Sequence, residues 1–155
     1  MRTPWYLTIA VLLSCFAPDV AADPYTRKPP AFHVGLGVRA LAHDPTAVVL
    51  AGKVKLLDMG RLSTSLRAAL LVGDYVEGRA PITVEGVLLP RVVPFLGIGL
   101  AYNTDHLGVV DPMVSGGLDV WLARRVVANA TINIVWQRDI GDTDKEGMGS
   151  IGFVF

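Results

Sequence analysis

The sequence predicts an all-β protein, an eight-stranded antiparallel up-and-down transmembrane β-barrel, and three observations indicate this fold. Apolar residues alternate with polar or small ones over most of the chain, a period of two that separates the faces of a strand and would mix them on a helix. Mean hydropathy is +0.46 and only 18% of the residues are charged, an apolar composition that favours a membrane protein. After residue 22, no charge-free stretch reaches the roughly 20 apolar residues that a transmembrane helix needs.

The 155-residue chain is expected to hold one folded domain behind an export signal. Residues 1–22 resemble a signal peptide, because Arg2 precedes an apolar run and small residues stand before a predicted cleavage after Ala22. Residues 23–30, "DPYTRKPP", form a predicted periplasmic lead whose prolines cannot enter a sheet interior. Residues 31–155 are the predicted barrel, and the expected location is the cell outer membrane.

An alternative lies within the signal, where residues 12–15, "LLSC", resemble a lipobox around Cys15. A cysteine in an apolar signal core also serves simply as a small hydrophobic residue. The sequence leaves lipidation at Cys15 open. Because Cys15 is the only cysteine, no internal disulfide is expected in either case.

Eight alternating runs are the predicted strands, each with about the ten residues that a tilted strand needs to cross a bilayer. The runs are residues 32–40, 48–56, 62–72, 79–88, 95–103, 114–122, 126–137 and 148–155. Their apolar faces carry no charge, and their opposite faces carry Arg39, Lys53, Lys55, Arg67, Arg79, Glu85 and Asp119. A Lys or Arg facing lipid at mid-membrane costs about 2–4 kcal/mol, so we expect the charged faces to line the lumen.

Inside so narrow a barrel the charged side chains must pair with one another, with amides, with His33 or with water. Glu85 lies on the strand after Arg67 and is its predicted partner. A pairing network that fills the lumen is the preferred interpretation, and a gated ion path is the alternative. Trp121 is predicted to cap the lumen at its periplasmic end.

The predicted connections alternate between short and long, as they do between the periplasmic and outer ends of such barrels. With the N-terminus in the periplasm, Tyr102 and Trp136 would lie at the outer rim. Phe32, Phe153 and Phe155 would lie at the inner rim, where aromatic girdles occur. Because hydrocarbon offers no partners to backbone polar groups, the last strand must pair with the first, and truncating it should remove insertion competence.

Two segments resemble the small eight-stranded outer-membrane proteins of the OmpA/OmpX type. They are "PFLGIGLAYN", residues 94–103, and the terminal "IGFVF" with its final Phe155. The likeness covers roughly residues 31–155 and implies recognition of the last strand by the barrel-insertion machinery. No segment of the sequence resembles the peptidoglycan-binding domain of full-length OmpA, so anchoring to the cell wall is not expected from the resemblance.

The predicted outward loops concentrate acidic residues. These are Asp44, Asp74, Glu77, Asp105, Asp111, Asp139, Asp142, Asp144 and Glu146. Within them "DTDKEG", residues 142–147, resembles the opening of a calcium loop, but its twelfth position holds Phe153 in place of Glu. A solvated acidic loop is therefore the preferred interpretation. No metal site and no cofactor are predicted.

The preferred function is that of a structural or surface-interaction protein of the outer membrane, with no catalytic residues. One alternative is a lipid-modifying enzyme, a lipase or acyltransferase, for which His33, His43 and His106 would be the candidate bases. Another is a soluble periplasmic carrier of a lipophilic ligand, which would turn its apolar faces inward. The expected partners are membrane lipid, lipopolysaccharide and the insertion machinery. Because 14 basic residues balance 14 acidic ones, no nucleic acid is expected, and we expect a monomer.

Overall fold

The computed structural model describes residues 31–41, 46–89, 91–104, 109–138 and 141–155. Eight strands follow one another along the chain. They are β1 (Phe32–Leu41), β2 (Ala47–Met59), β3 (Leu62–Val72), β4 (Val76–Gly86), β5 (Val92–Asn103), β6 (Val110–Ala123), β7 (Val126–Gln137) and β8 (Asp142–Val154). The predicted signal peptide, the lead, Cys15, His43 and His106 lie outside the described residues.

Each strand pairs antiparallel with its neighbours in sequence, and β8 closes the ring onto β1. In that closing pair Leu36 stands opposite Ile151, and His33 stands opposite Val154. The pairing satisfies the backbone polar groups that would otherwise form two free edges. The predicted eight-stranded up-and-down barrel is therefore confirmed, including the prediction that the last residues form a full strand.

The two ends of the barrel differ in their connections. One end, here the turn end, carries the turns at residues 60–61, 87–91 and 124–125 together with the start of β1 and the end of β8. The other end, the loop end, carries residues 42–46, 73–75, 104–109 and 138–141. Gly60 takes a φ of +80°, the left-handed conformation that lets β2 and β3 join through a two-residue turn.

The predicted contrast between long and short connections is wrong for three connections. The β3–β4 and β7–β8 connections, residues 73–75 and 138–141, are shorter than the β4–β5 connection at the opposite end, residues 87–91. The strands continue past the predicted boundaries because period-two alternation persists into segments whose charges had suggested loops. The starts of β4, β6 and β8 accordingly lie at Val76, Val110 and Asp142.

The strand faces are inverted relative to a water-soluble barrel. Among the described residues, 17 polar or charged side chains are buried against 10 apolar ones. Large apolar side chains point outward instead, and Leu36, Leu96 and Ile98 are 65%, 65% and 72% exposed. The soluble-carrier interpretation is thus contradicted, because it required apolar faces inside and charges outside.

Lys145 on β8 departs from the predicted uncharged outer surface. It is exposed on the outward face, opposite Ile134 of β7. The alternation of faces places Lys145 outward and its neighbours Asp144 and Glu146 inward. Lys145 and Phe153 are eight residues apart on β8. At a strand tilt of about 40° this separation corresponds to roughly 20 Å along the membrane normal. Because the apolar band of such barrels is about 25 Å tall, Lys145 lies near its rim.

Aromatic side chains stand at both rims, as predicted. Tyr102 and Trp136 are exposed near the loop end. Phe32, Phe153 and Phe155 are exposed near the turn end, where the rings of Phe32 and Phe155 lie 5.8 Å apart. Aromatic side chains at these two levels are typical of β-barrels that cross a bilayer.

Candidate functional site in the barrel lumen

The lumen near the turn end holds a group of buried charges that we call the turn-end cluster. It consists of Lys53 on β2, Arg67 on β3, Glu85 on β4 and Asp119 on β6. Lys53 Nζ lies 2.7 Å from Glu85 Oε2, and Nη2 of Arg67 donates a hydrogen bond to the same oxygen at 2.8 Å. The predicted pairing of Arg67 with Glu85 is confirmed.

Arg67 connects the two acids of this cluster. Its guanidinium donates to both oxygens of Asp119, at 3.1 and 2.7 Å, which is the bidentate geometry that makes such pairs strong. Its charge also lies 3.6 Å from the centre of the Phe95 ring, a cation–π contact. One side chain thereby joins the walls formed by β3, β4, β5 and β6.

Neutral donors complete the coordination of the two carboxylates. The hydroxyl groups of Ser63 and Ser65 donate to Glu85 Oε1 at 3.1 and 2.7 Å. The amide of Asn129 donates to Asp119 Oδ1 at 2.7 Å. Buried charges are costly unless they are both paired and hydrogen-bonded, and these carboxylates meet both conditions.

A second set of charges, the loop-end cluster, fills the other half of the lumen. It consists of Arg39 on β1, Glu77 and Arg79 on β4, and Glu146 on β8, with the amide of Asn133. Arg39 Nη1 lies 2.7 Å from Glu77 Oε1, and Arg79 Nη2 lies 2.6 Å from Glu77 Oε2. Asn133 donates to Glu146 Oε1 at 2.8 Å. Each cluster contains two cations and two anions, so each is electrically balanced.

Sequence reasoning missed both acids of the loop-end cluster. Glu77 and Glu146 were predicted in solvated outer loops, and both are almost completely buried in strands. The signal that could have found them is parity, since Glu77 shares the inward face with Arg79 and Glu85. The solvated-loop interpretation is wrong for Asp111 and Asp144 as well, which are also buried on the inward faces of their strands.

The calcium-loop resemblance of residues 142–147 has no structural basis. The segment belongs to β8, so Asp142, Asp144 and Glu146 are spaced about 7 Å apart in succession along an extended strand and cannot wrap around one ion. Within the described ranges, no group of three His, Cys, Asp or Glu side chains is arranged to hold a metal ion.

The space left between the two clusters is small. A cavity of about 40 Å³ is lined by Arg67 of one cluster, Arg79 of the other, and by Ser115, Asn133 and Met148 among others. This volume accommodates about three water molecules. Sites for drug-sized ligands are roughly 300–1,000 Å³, so the cavity is too small for a lipophilic ligand.

The remaining lumen-facing candidates lie where they were predicted. Trp121 is buried on the inward face of β6, close to the turn end. His33 is buried near the start of β1, opposite Lys53 of β2. Lys55 lies at the same end of the barrel and belongs to neither cluster. Its Nζ is 3.5 Å from Asp58 Oδ2.

No protein-family model matches the sequence, and no curated protein matches it either. Solved structures do match its fold. The chain is similar to a protein from "De novo design of transmembrane beta-barrels", with a TM-score of 0.61, 15% identity, and coverage of 83% of this chain and 98% of that one. It is also similar to the N-terminal β-barrel domain of Pseudomonas aeruginosa OprF, with a TM-score of 0.56, 12% identity, and coverage of 80% and 96%.

A third similar structure is the Yersinia pestis outer membrane protein Ail, determined in a phospholipid bilayer nanodisc. Its TM-score is 0.57 at 11% identity, with coverage of 82% of this chain and 100% of that one. At these identities the likeness concerns the fold. The chain therefore has the fold of the small eight-stranded transmembrane β-barrels, and the predicted resemblance to the OmpA/OmpX type is confirmed at that level.

The part of the chain that the structure describes contains no helix long and apolar enough to cross a membrane.

Proposed function

We propose that the protein is an integral outer-membrane barrel with a structural or surface-interaction role, whose lumen is closed to ions. The observation that carries the proposal is the pair of ion-pair clusters placed one above the other in the lumen. An ion crossing the barrel would have to displace the Arg67–Asp119 pair and then the Arg79–Glu146 pair. Each is buried and fully hydrogen-bonded, so removing either partner is costly, about 3–5 kcal/mol.

The orientation we propose places the turn end in the periplasm and the loop end outside the cell. The two-residue turns at residues 60–61 and 124–125, and the position of the start of β1 and the end of β8 at the same end, support it. In this orientation the outward faces contact membrane lipid, and the loop end contacts lipopolysaccharide. The short loop-end connections at residues 73–75 and 138–141 favour a small contact surface over a large adhesive one.

Assembly is proposed to depend on β8, which carries the terminal aromatic residues and pairs with both β7 and β1. The barrel-insertion machinery would recognise this strand. We further propose export through a cleaved signal peptide of residues 1–22, and a monomer in the membrane, because the ring of eight strands has no edge left to pair with a second chain.

We propose that the protein does not catalyse a reaction on lipid. A lipid-modifying site needs a base that reaches the membrane or its surface, and His33, the candidate base within the described residues, is 3% exposed inside the lumen. A base at His33 would meet Lys53 and other lumen side chains rather than lipid.

The proposal is tested with purified protein folded in detergent and reconstituted into planar bilayers. We expect heat-modifiable migration, retention in the detergent-extracted membrane fraction, and no stepwise conductance. Incubation with phospholipid and with lipid A should release no fatty acid. Stepwise conductance from the unaltered protein would overturn the closed lumen, and fatty-acid release would favour the enzyme alternative.

A further inference from the structure

Exposed arginines occupy every turn at the turn end of the barrel. We call them the arginine collar. The collar consists of Arg61 in the β2–β3 turn, Arg91 in the β4–β5 turn, and Arg124 and Arg125 in the β6–β7 turn. None of the four side chains forms an ion pair with a residue that the structure describes. Among the described residues at this end, the exposed acid is Asp58, which contacts Lys55 and accepts a hydrogen bond from the backbone N–H of Gly60.

The collar lies just beyond the edge of the apolar outer surface. Leu62, which is 50% exposed, directly follows Arg61. Leu89 and Leu122 are likewise exposed, each two residues before a collar arginine. A long cationic side chain beside the last apolar residue extends its charged group to the headgroup level of a bilayer.

The spacing of the collar fits a surface and does not fit a small ligand. The three turns are separated by two strands each, which puts them about 10 Å or more apart around the barrel, with neighbouring strands about 4.8 Å apart. A single small anion could reach one turn at a time. A flat anionic layer that surrounds the barrel reaches all three.

The chemistry of the collar favours phosphate. All four of its side chains are arginine, whose planar guanidinium donates two parallel hydrogen bonds to phosphate oxygens. The loop end is different, since its exposed side chains include Asp74 and Asp142 together with Arg138 and Lys145. A predominantly cationic turn end and a mixed loop end would interact differently with an anionic layer.

We propose that the arginine collar binds the phosphate groups of anionic phospholipids in the leaflet at the turn end. This inference rests on the proposed function as a membrane-spanning barrel. Contacts on three sides would hold the barrel at a fixed height and limit its tilt. The partner is a lipid surface, and binding of the collar to peptidoglycan, another anionic layer, is an outcome that the test distinguishes.

The test compares the folding equilibrium in vesicles of phosphatidylcholine with that in vesicles containing one quarter phosphatidylglycerol, at low salt. Anionic lipid should raise the folding equilibrium constant of the unaltered protein. In the double variant Arg124→Gln/Arg125→Gln that gain should fall by about 20- to 30-fold, since each arginine near an anionic surface contributes about a fivefold factor. Arg124→Lys/Arg125→Lys should keep most of the gain, and high salt should abolish it.

The matched control is Arg138→Gln/Lys145→Gln, which removes the same charge from the unfolded chain but from the loop end when folded. Arg138 is already ion-paired with Asp111, and Lys145 lies near the rim of the apolar band, so the gain from phosphatidylglycerol should fall by no more than about fivefold, the contribution of Lys145 alone. Equal losses in both double variants, an unchanged gain in Arg124→Gln/Arg125→Gln, or collar-dependent pelleting with purified peptidoglycan in place of a lipid effect would each overturn the inference. Failure of the unaltered protein to fold into either kind of vesicle would instead overturn the proposed membrane barrel.

Discussion

The guanidinium of Arg79 on β4 donates two hydrogen bonds, of 2.7 and 3.0 Å, to the carboxylate of Glu146 on β8. In a ring of eight strands β4 and β8 lie opposite each other, so this pair crosses the whole lumen. Arg39 of β1 also reaches Glu146, at 3.4 Å. Asn133 of β7 donates to the same carboxylate, so Glu146 is the point at which four strands of the barrel wall are joined through side chains.

Replacing Glu146 with Gln should lower the free energy of unfolding by about 3–5 kcal/mol, because two buried guanidinium groups would then share the single charge of Glu77. The measurement is chemical unfolding in detergent micelles followed by tryptophan fluorescence. Lys145→Gln is the control, since Lys145 is the preceding residue and faces outward. A loss of similar size in both variants would show that the lumen pairing contributes little.

Two clusters in series predict that opening one of them leaves the barrel closed. Arg67→Ser and Arg79→Ser each remove one arginine side chain from one cluster, and neither variant should conduct in planar bilayers. The double variant should show stepwise conductance, because both constrictions are widened. Conductance in either single variant, from protein with normal heat-modifiable migration, would contradict the arrangement in series.

Gly97→Ala should destabilise the barrel by about 1–3 kcal/mol, the usual cost of overpacking. A Cβ at Gly97 would lie 2.1 Å from the carbonyl oxygen of Ile82, and backbone must shift to admit it. At Gly149 the nearest atom to a new Cβ is 4.0 Å away, so Gly149→Ala is the control and should change stability little. Unfolding curves of the two variants in the same detergent decide between these outcomes, and equal midpoints would refute the packing argument.

Ile98→Arg should cost about 2–4 kcal/mol in a bilayer, because Ile98 is 72% exposed in the middle of β5 and would place a charge at mid-membrane. Leu62→Arg, beside Arg61 at the turn end, should cost about 0–1 kcal/mol, since charge at the interface is tolerated. Unfolding from lipid vesicles measures both costs. If the two substitutions cost the same, the apolar band does not run where the exposed side chains place it.

Much of the fold was predictable from the sequence because a strand has a strict period of two. Val34, Leu36 and Val38 alternate with His33, Gly35 and Gly37, and the structure keeps these two sets on opposite faces. Closure was predictable as well, since a strand edge in hydrocarbon leaves its backbone groups unpaired. The predicted boundaries are wrong where charged residues suggest a loop but continue the strand, as at the start of β8.

Partners within the lumen were predictable only between neighbouring strands. Arg67 and Glu85 lie on adjacent strands, and that pair was found. Two other ion pairs join strands that are not adjacent, namely Arg67 with Asp119 and Arg79 with Glu146. The sequence separation of two residues does not indicate whether they meet across the barrel.

The sequence by itself determined the number of strands, the inward and outward faces within the predicted strands, and the need for a closed ring, because these follow from local alternation and from the solvent. Tertiary structure decided which charges meet, because the register and tilt of eight strands set the height of every side chain in the lumen. Glu77 and Glu146 show the difference. Their residue type suggested water, and the closed barrel instead buries them against Arg39 and Arg79, where paired charge makes burial tolerable.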